Sequence, residues 1–82
     1  MTELAVEVVY ARADRQCLAQ VRVPAGSTLR DAIVASGLPD RFPEIDLAVM
    51  AVGIWGRLRS ADEPVAMGDR VEIYRPLACD PP

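Results

Sequence analysis

Two cysteines, Cys17 and Cys79, are the strongest nucleophiles in this chain, and neither has the usual means of activation, because the sequence contains no histidine and no lysine. Without histidine there is no side chain whose ordinary pKa suits proton transfer at neutral pH, so neither a Ser-His nor a Cys-His pair can form. Without lysine there is no side-chain amine for a Schiff base or an isopeptide bond. The cysteines lie too far apart for a metal knuckle, and two thiolates fall short of the four that a [2Fe–2S] cluster needs. Cys79 stands beside Asp80, whose carboxylate opposes thiolate formation. Cys17 is expected as a buried small hydrophobe and Cys79 as a tail residue. No catalytic, cofactor-binding or metal-ligating residue is therefore expected, and the chemistry must lie in surfaces.

The totals narrow which surfaces. The formal net charge is -3, all nine basic residues are arginines, and the densest basic spacing is Arg57-x-Arg59. That is no stripe for a phosphate backbone, and nucleic acid is not an expected partner. The longest nearly pure apolar stretch runs from Leu47 to Trp55, far short of the roughly 20 residues of a membrane-spanning helix. Glu3 and Glu7 stand where a secretory signal would need a basic start and an apolar block, so a cytoplasmic protein is expected. A length of 82 residues with 51% hydrophobic content suits one compact domain and no second.

The elements that would carry such surfaces are read from period and punctuation. Leu4, Val6, Val8 and Tyr10 alternate with Glu3, Ala5, Glu7 and Val9, the period of a half-buried strand. The polar stretch RADRQ reads as a hairpin turn into a second strand, where Cys17, Ala19, Val21 and Val23 alternate with Leu18, Gln20 and Arg22. Pro24 and Gly26 stop that ladder. A helix follows over roughly Leu29–Ser36, with a Ser27 or Thr28 cap, Asp31 in its positive first turn and Gly37 just beyond its end; Pro39 is expected to block continuation. Its apolar face, Leu29, Ala32 and Ile33, should lie on the sheet. Phe42, Ile45 and Leu47 are expected to tuck a compact connection under the sheet edge. MAVGIWG reads as a strand, RLRS as a short edge strand, and Val65 and Met67 as inward anchors of a turn-rich segment. Gly68-Asp69 then turns the chain into RVEIYRPL, with Val71 and Ile73 facing one way and Glu72 and Tyr74 the other.

The order β-β-α-β-β-β is that of an α+β, β-grasp (ubiquitin-like) domain: a mixed sheet of four to five strands with one helix across one face and the other face open. Its expected extent is 1–76, with 77–82 as a carboxy-terminal tail. The stretches VEVVYARADRQ, GSTLRDAIVASG, FPEIDL, VGIWG and above all GDRVEIYRPLACDP resemble the RnfH family of small bacterial ubiquitin-like proteins, over nearly the whole chain. The resemblance implies a non-enzymatic adaptor that binds another protein, with an association with a membrane electron-transport complex or a toxin-antitoxin, translation-linked role as its attendant readings.

A carrier of sulfur in cofactor synthesis shares the Gly-Asp-x-Val-x-Ile skeleton but needs a slim Gly-Gly end. Alignment on Pro76 puts Cys79-Asp80 in that place, followed by Pro81-Pro82, so this alternative is disfavoured. Tyr74 should turn outward while Arg75, Pro76 and Leu77 leave the sheet together. With Asp80 of the Asp-Pro signature, these residues form the expected partner surface. Trp55 is a further candidate anchor, although an aromatic on a short strand is more commonly packed on the sheet or helix.

Overall fold

Strand β1 (Glu3–Ala11) pairs antiparallel with strand β2 (Gln16–Pro24), from Glu3 opposite Pro24 to Ala11 opposite Gln16 without a break. The computed structural model describes residues 2–11 and 16–74. The expectations for Arg75, Pro76, Leu77, Cys79 and Asp80 lie outside the described residues. After β2 the chain enters helix α1 (Leu29–Ser36), a one-turn helix α2 (Leu38–Arg41), and strands β3 (Ala51–Ile54), β4 (Arg57–Arg59) and β5 (Arg70–Tyr74). The five strands form one sheet in the order β2-β1-β5-β3-β4. Strand β5 runs parallel to β1 and antiparallel to β3, so the first and last strands meet at the centre of a mixed sheet.

Helix α1 starts where its cap chemistry says it should. The Thr28 hydroxyl accepts the Asp31 N–H at 3.1 Å, and the Asp31 carboxylate accepts the Thr28 N–H at 3.0 Å, so two orphan donors of the first turn are satisfied reciprocally. Gly37 ends the helix at φ 77°, a conformation that only a residue without Cβ enters freely. Leu29, Ala32 and Ile33 are fully buried against Val8, Val71 and Ile73 of the two central strands and their neighbours. Six large side chains, Leu29, Ile33, Leu38, Ile73, Val8 and Val71, are buried to under 2% exposure, each contributing about 1.5–3 kcal/mol of hydrophobic stabilisation.

Three expectations are corrected. The described residues hold two helices: Pro39 does not end helical structure but occupies the first turn of α2, where its missing N–H has no intrahelical partner to lose. That turn buries Leu38 and leads into buried Phe42 and Ile45, while Leu47 is only half-buried at the core's margin. Phe42 meets the Tyr10 ring edge-on at 5.4 Å. Met67 is 60% exposed instead of inward; Val65 is the buried anchor of that segment, and the Met67 sulfur accepts the Ala5 N–H. Finally, Trp55 belongs to no strand, since β3 stops at Ile54.

Candidate partner surface

Both helices pack on one face of the sheet, and the strand registers define what the other face presents. Leu18 on β2 lies opposite Val9 on β1, Val9 opposite Glu72 on β5, Glu72 opposite Gly53 on β3, and Gly53 opposite Leu58 on β4. One row thus crosses all five strands, about 19 Å at the usual strand spacing. Its ends are apolar and exposed, Leu18 at 52% and Leu58 at 72%. Val9 is buried to 3% yet stands outside the main core cluster, which places it as the floor of this open face.

Trp55 projects beside that row from the tight connection between β3 and β4. Ile54 pairs with Arg57, leaving Trp55 and Gly56 as a two-residue hairpin loop with φ values of 50° and 81°. Positive φ at both central residues is the hairpin turn whose twist suits the flanking strands, and Asn-Gly is its ordinary occupant. A bulky aromatic in this left-handed region is strained. Trp55 is nevertheless 60% exposed. It is held by its N–H, which donates to the Arg70 carbonyl at 3.2 Å, and by the Arg70 guanidinium, 5.8 Å from the ring centroid.

Glu72 ties this turn to Tyr74. One carboxylate oxygen accepts the Tyr74 hydroxyl at 2.6 Å and also the Gly56 N–H at 2.6 Å. Arg70 lies between two acids, 3.8 Å from Glu72 and 3.9 Å from Glu7, and its Nε is buried without a hydrogen-bond partner. Burial first, and then the hydrogen bond and charge of Glu72, push the Tyr74 phenol up to about 12. A carboxylate beside it favours the neutral, donating phenol. Alternation along β5, with Val71 and Ile73 in the core, puts Tyr74 on the open face with Glu72, half-buried and fixed by its neighbours. A hollow of about 570 Å³ opens on the other side of Trp55, lined by Ala5, Glu7, Gln20, Arg22 and Asp69 among others.

Of the residues predicted from sequence, the structure thus brings Tyr74 and Trp55 to one face, joined through Glu72 and Gly56. Arg75, Pro76, Leu77 and Asp80 continue the chain beyond the described residues. Sequence reasoning did not single out Leu18, Leu58, Arg70 or Glu72. Alternation already turned Leu18 outward, and the Trp-Gly pair ahead of Arg57 was the available signal for a hairpin turn.

The comparisons with known proteins agree with this architecture. The model of the family described as RnfH family Ubiquitin matches residues 4–82. Protein RnfH of Halorhodospira halophila is 52% identical over 79 residues, which cover 96% of this chain and 81% of that protein. Protein RnfH of Burkholderia mallei is 55% identical over 76 residues, covering 93% and 69%. Among solved structures, a proposed molybdopterin converting factor, subunit 1, from Pyrococcus furiosus superposes with a TM-score of 0.65 at 23% identity, covering 90% of this chain and 99% of that one. The Caldiarchaeum subterraneum ubiquitin gives 0.65 at 13% identity, covering 96% and 100%. At those identities the structures speak to the β-grasp fold alone, whereas the sequence relatives and the family model speak to descent: the chain belongs to the RnfH family of ubiquitin-like proteins.

Proposed function

We propose that this domain is a non-enzymatic, cytoplasmic adaptor that holds a partner protein on its open sheet face, with Trp55 as the anchor. Tyr74 extends that surface, and Arg75, Pro76, Leu77 and Asp80 of the carboxy-terminal segment continue it. One observation carries the reading: a 60% exposed tryptophan occupies a left-handed turn position where asparagine or glycine would be unstrained. Backbone strain of this kind persists where the surroundings impose it, and it concentrates at functional sites. Tryptophan is also among the residues most enriched at energetic hot spots. Leu18 and Leu58 supply exposed apolar contacts on the same face. The family resemblance makes a subunit of a membrane electron-transport complex the first partner to test.

The test is site-specific photo-crosslinking in native lysate, with the crosslinker at position 58 or 18 and, as a control, at Val34, which is exposed on the helix side. Both open-face positions should capture the same protein, and excess wild-type domain should compete where a Trp55→Ala domain does not. Capture at position 34 alone would overturn the reading. A gain in mass at the terminal carboxylate on incubation with ATP and an adenylating enzyme would replace it with a carrier function.

A further inference from the structure

The two edges of the sheet are built differently. Strand β4 closes one side with Arg57-Leu58-Arg59, a short edge carrying two arginines. Brevity and charge are the devices by which natural sheets discourage further pairing. Strand β2 closes the other side with QCLAQVRVP, and it lacks those devices. Its register with β1 runs unbroken over the full strand, Arg22 is its single charge, and its proline, Pro24, stands only at the last position. Strand β1 occupies one side of the β2 backbone. Among the described residues, no other group donates to or accepts from the backbone of residues 16–23. In an antiparallel pair alternate residues turn their N–H and C=O away from the partner strand, so β2 presents a row of unused donors and acceptors.

The side chains along this edge indicate what would fit it. On the open face β2 shows Gln16, Leu18, Gln20 and Arg22, all exposed, and on the helix side half-buried Ala19 and Val21. Arg22 forms no ion pair among the described residues. A second copy of β2 would bring no acid to it, because β2 contains none. The complement is instead a strand with a carboxylate opposite Arg22, an apolar residue four positions away opposite Leu18, and small apolar residues between them against Ala19 and Val21.

We propose that the free edge of β2 accepts an extended segment of a partner protein of that acid-and-apolar pattern, adding a sixth strand to the sheet. Main-chain hydrogen bonds would supply the affinity and the alternate side chains the register. This site shares Leu18 and the Arg22 side of the hollow with the Trp55 surface; what sets it apart is the β2 backbone, which a partner held by Trp55 alone would leave untouched.

The probe is the capped peptide Thr-Val-Glu-Val-Thr-Val-Leu-Thr, whose Glu falls opposite Arg22 in an antiparallel pairing, added to the ¹⁵N-labelled full chain. Chemical-shift changes should be confined to residues 16–24, with slowed hydrogen exchange at alternate amides of β2. A Glu→Lys peptide should bind about two- to fivefold more weakly, the range of an exposed ion pair, and an Arg22→Glu chain should reverse that preference. Arg22 is exposed, so the reversal can be read on a folded domain. Shifts at Leu58 and Tyr74 in place of β2, or none anywhere at millimolar peptide, would overturn the proposal. So would protection of the same amides by the chain alone with concentration-dependent sedimentation, which would assign the edge to a second copy.

Discussion

The phenol oxygen of Tyr74 on β5 lies over Gly53 on β3, 2.7 Å from where a Cβ on that glycine would stand. The same Cβ would collide with the Arg57 carbonyl oxygen across the hairpin. Gly53 is thus the notch that lets Tyr74 reach Glu72 and lets β4 close on β3. Gly53→Ala should destabilise the domain by about 1–3 kcal/mol, the usual cost of overpacking. A lowered denaturant midpoint with an unchanged m-value is the expected reading. No loss of stability would show that neither contact matters.

The Tyr74 phenol gives a pH signature. Its pKa is raised from 10.0 to about 12 in the folded chain, mainly by burial and then by Glu72. The folded state therefore holds this proton more tightly than the unfolded one. Its contribution to stability is fully present below pH 10 and is lost as pH rises toward 12. Tyrosine Cζ NMR should show this resonance titrating above the ordinary phenol range. Glu72→Gln should move it back down, because the charge is gone while burial remains. An unchanged midpoint in that variant would leave burial as the only cause.

Ile33 is fully buried between α1 and the sheet. Ile33→Ala should lower stability by about 2–5 kcal/mol through lost transfer energy and the cavity left behind, a large share of what a small domain has. The check is the equilibrium denaturation midpoint.

Trp55→Asn separates folding from function. Asparagine tolerates the left-handed turn better than tryptophan, which offsets the lost contact with Arg70, so stability should stay within about 1 kcal/mol of the wild type. Partner capture should fall by about 30-fold or more, since truncating a true anchor costs about 2 kcal/mol. A folded variant that binds as before would remove Trp55 from the partner surface.

What was legible in the sequence was what is local. The β1–β2 alternation, a Ser27 or Thr28 cap with Asp31 in the first turn, and the Gly37 stop each fall within a few residues, and so does the alternation of Val71 and Ile73 with Glu72 and Tyr74. Pro39 misled because a proline after a left-handed glycine can end one helix or open the next. Buried Leu38, beside it in the same turn, favours the second. Trp55 was misplaced because its strand propensity and that of Ile54 outweighed a two-residue turn signal. The Glu72–Gly56 bond joins residues 16 apart in the chain, and no periodicity reports a contact made only when β5 slides between β1 and β3.

That insertion has a consequence for how the domain comes into being. β5 is the last of the five strands to leave the ribosome, yet it is the keystone of the sheet. Until it arrives, the amino-terminal hairpin and the β3–β4 hairpin have no sheet in common, and β1 and β3 each expose a bare edge. Pairing strands so distant in sequence demands closure of a long loop, which is slow. A product truncated before residues 70–74 would keep two hairpins with their inner edges unpaired, the kind of exposed edge that favours aggregation.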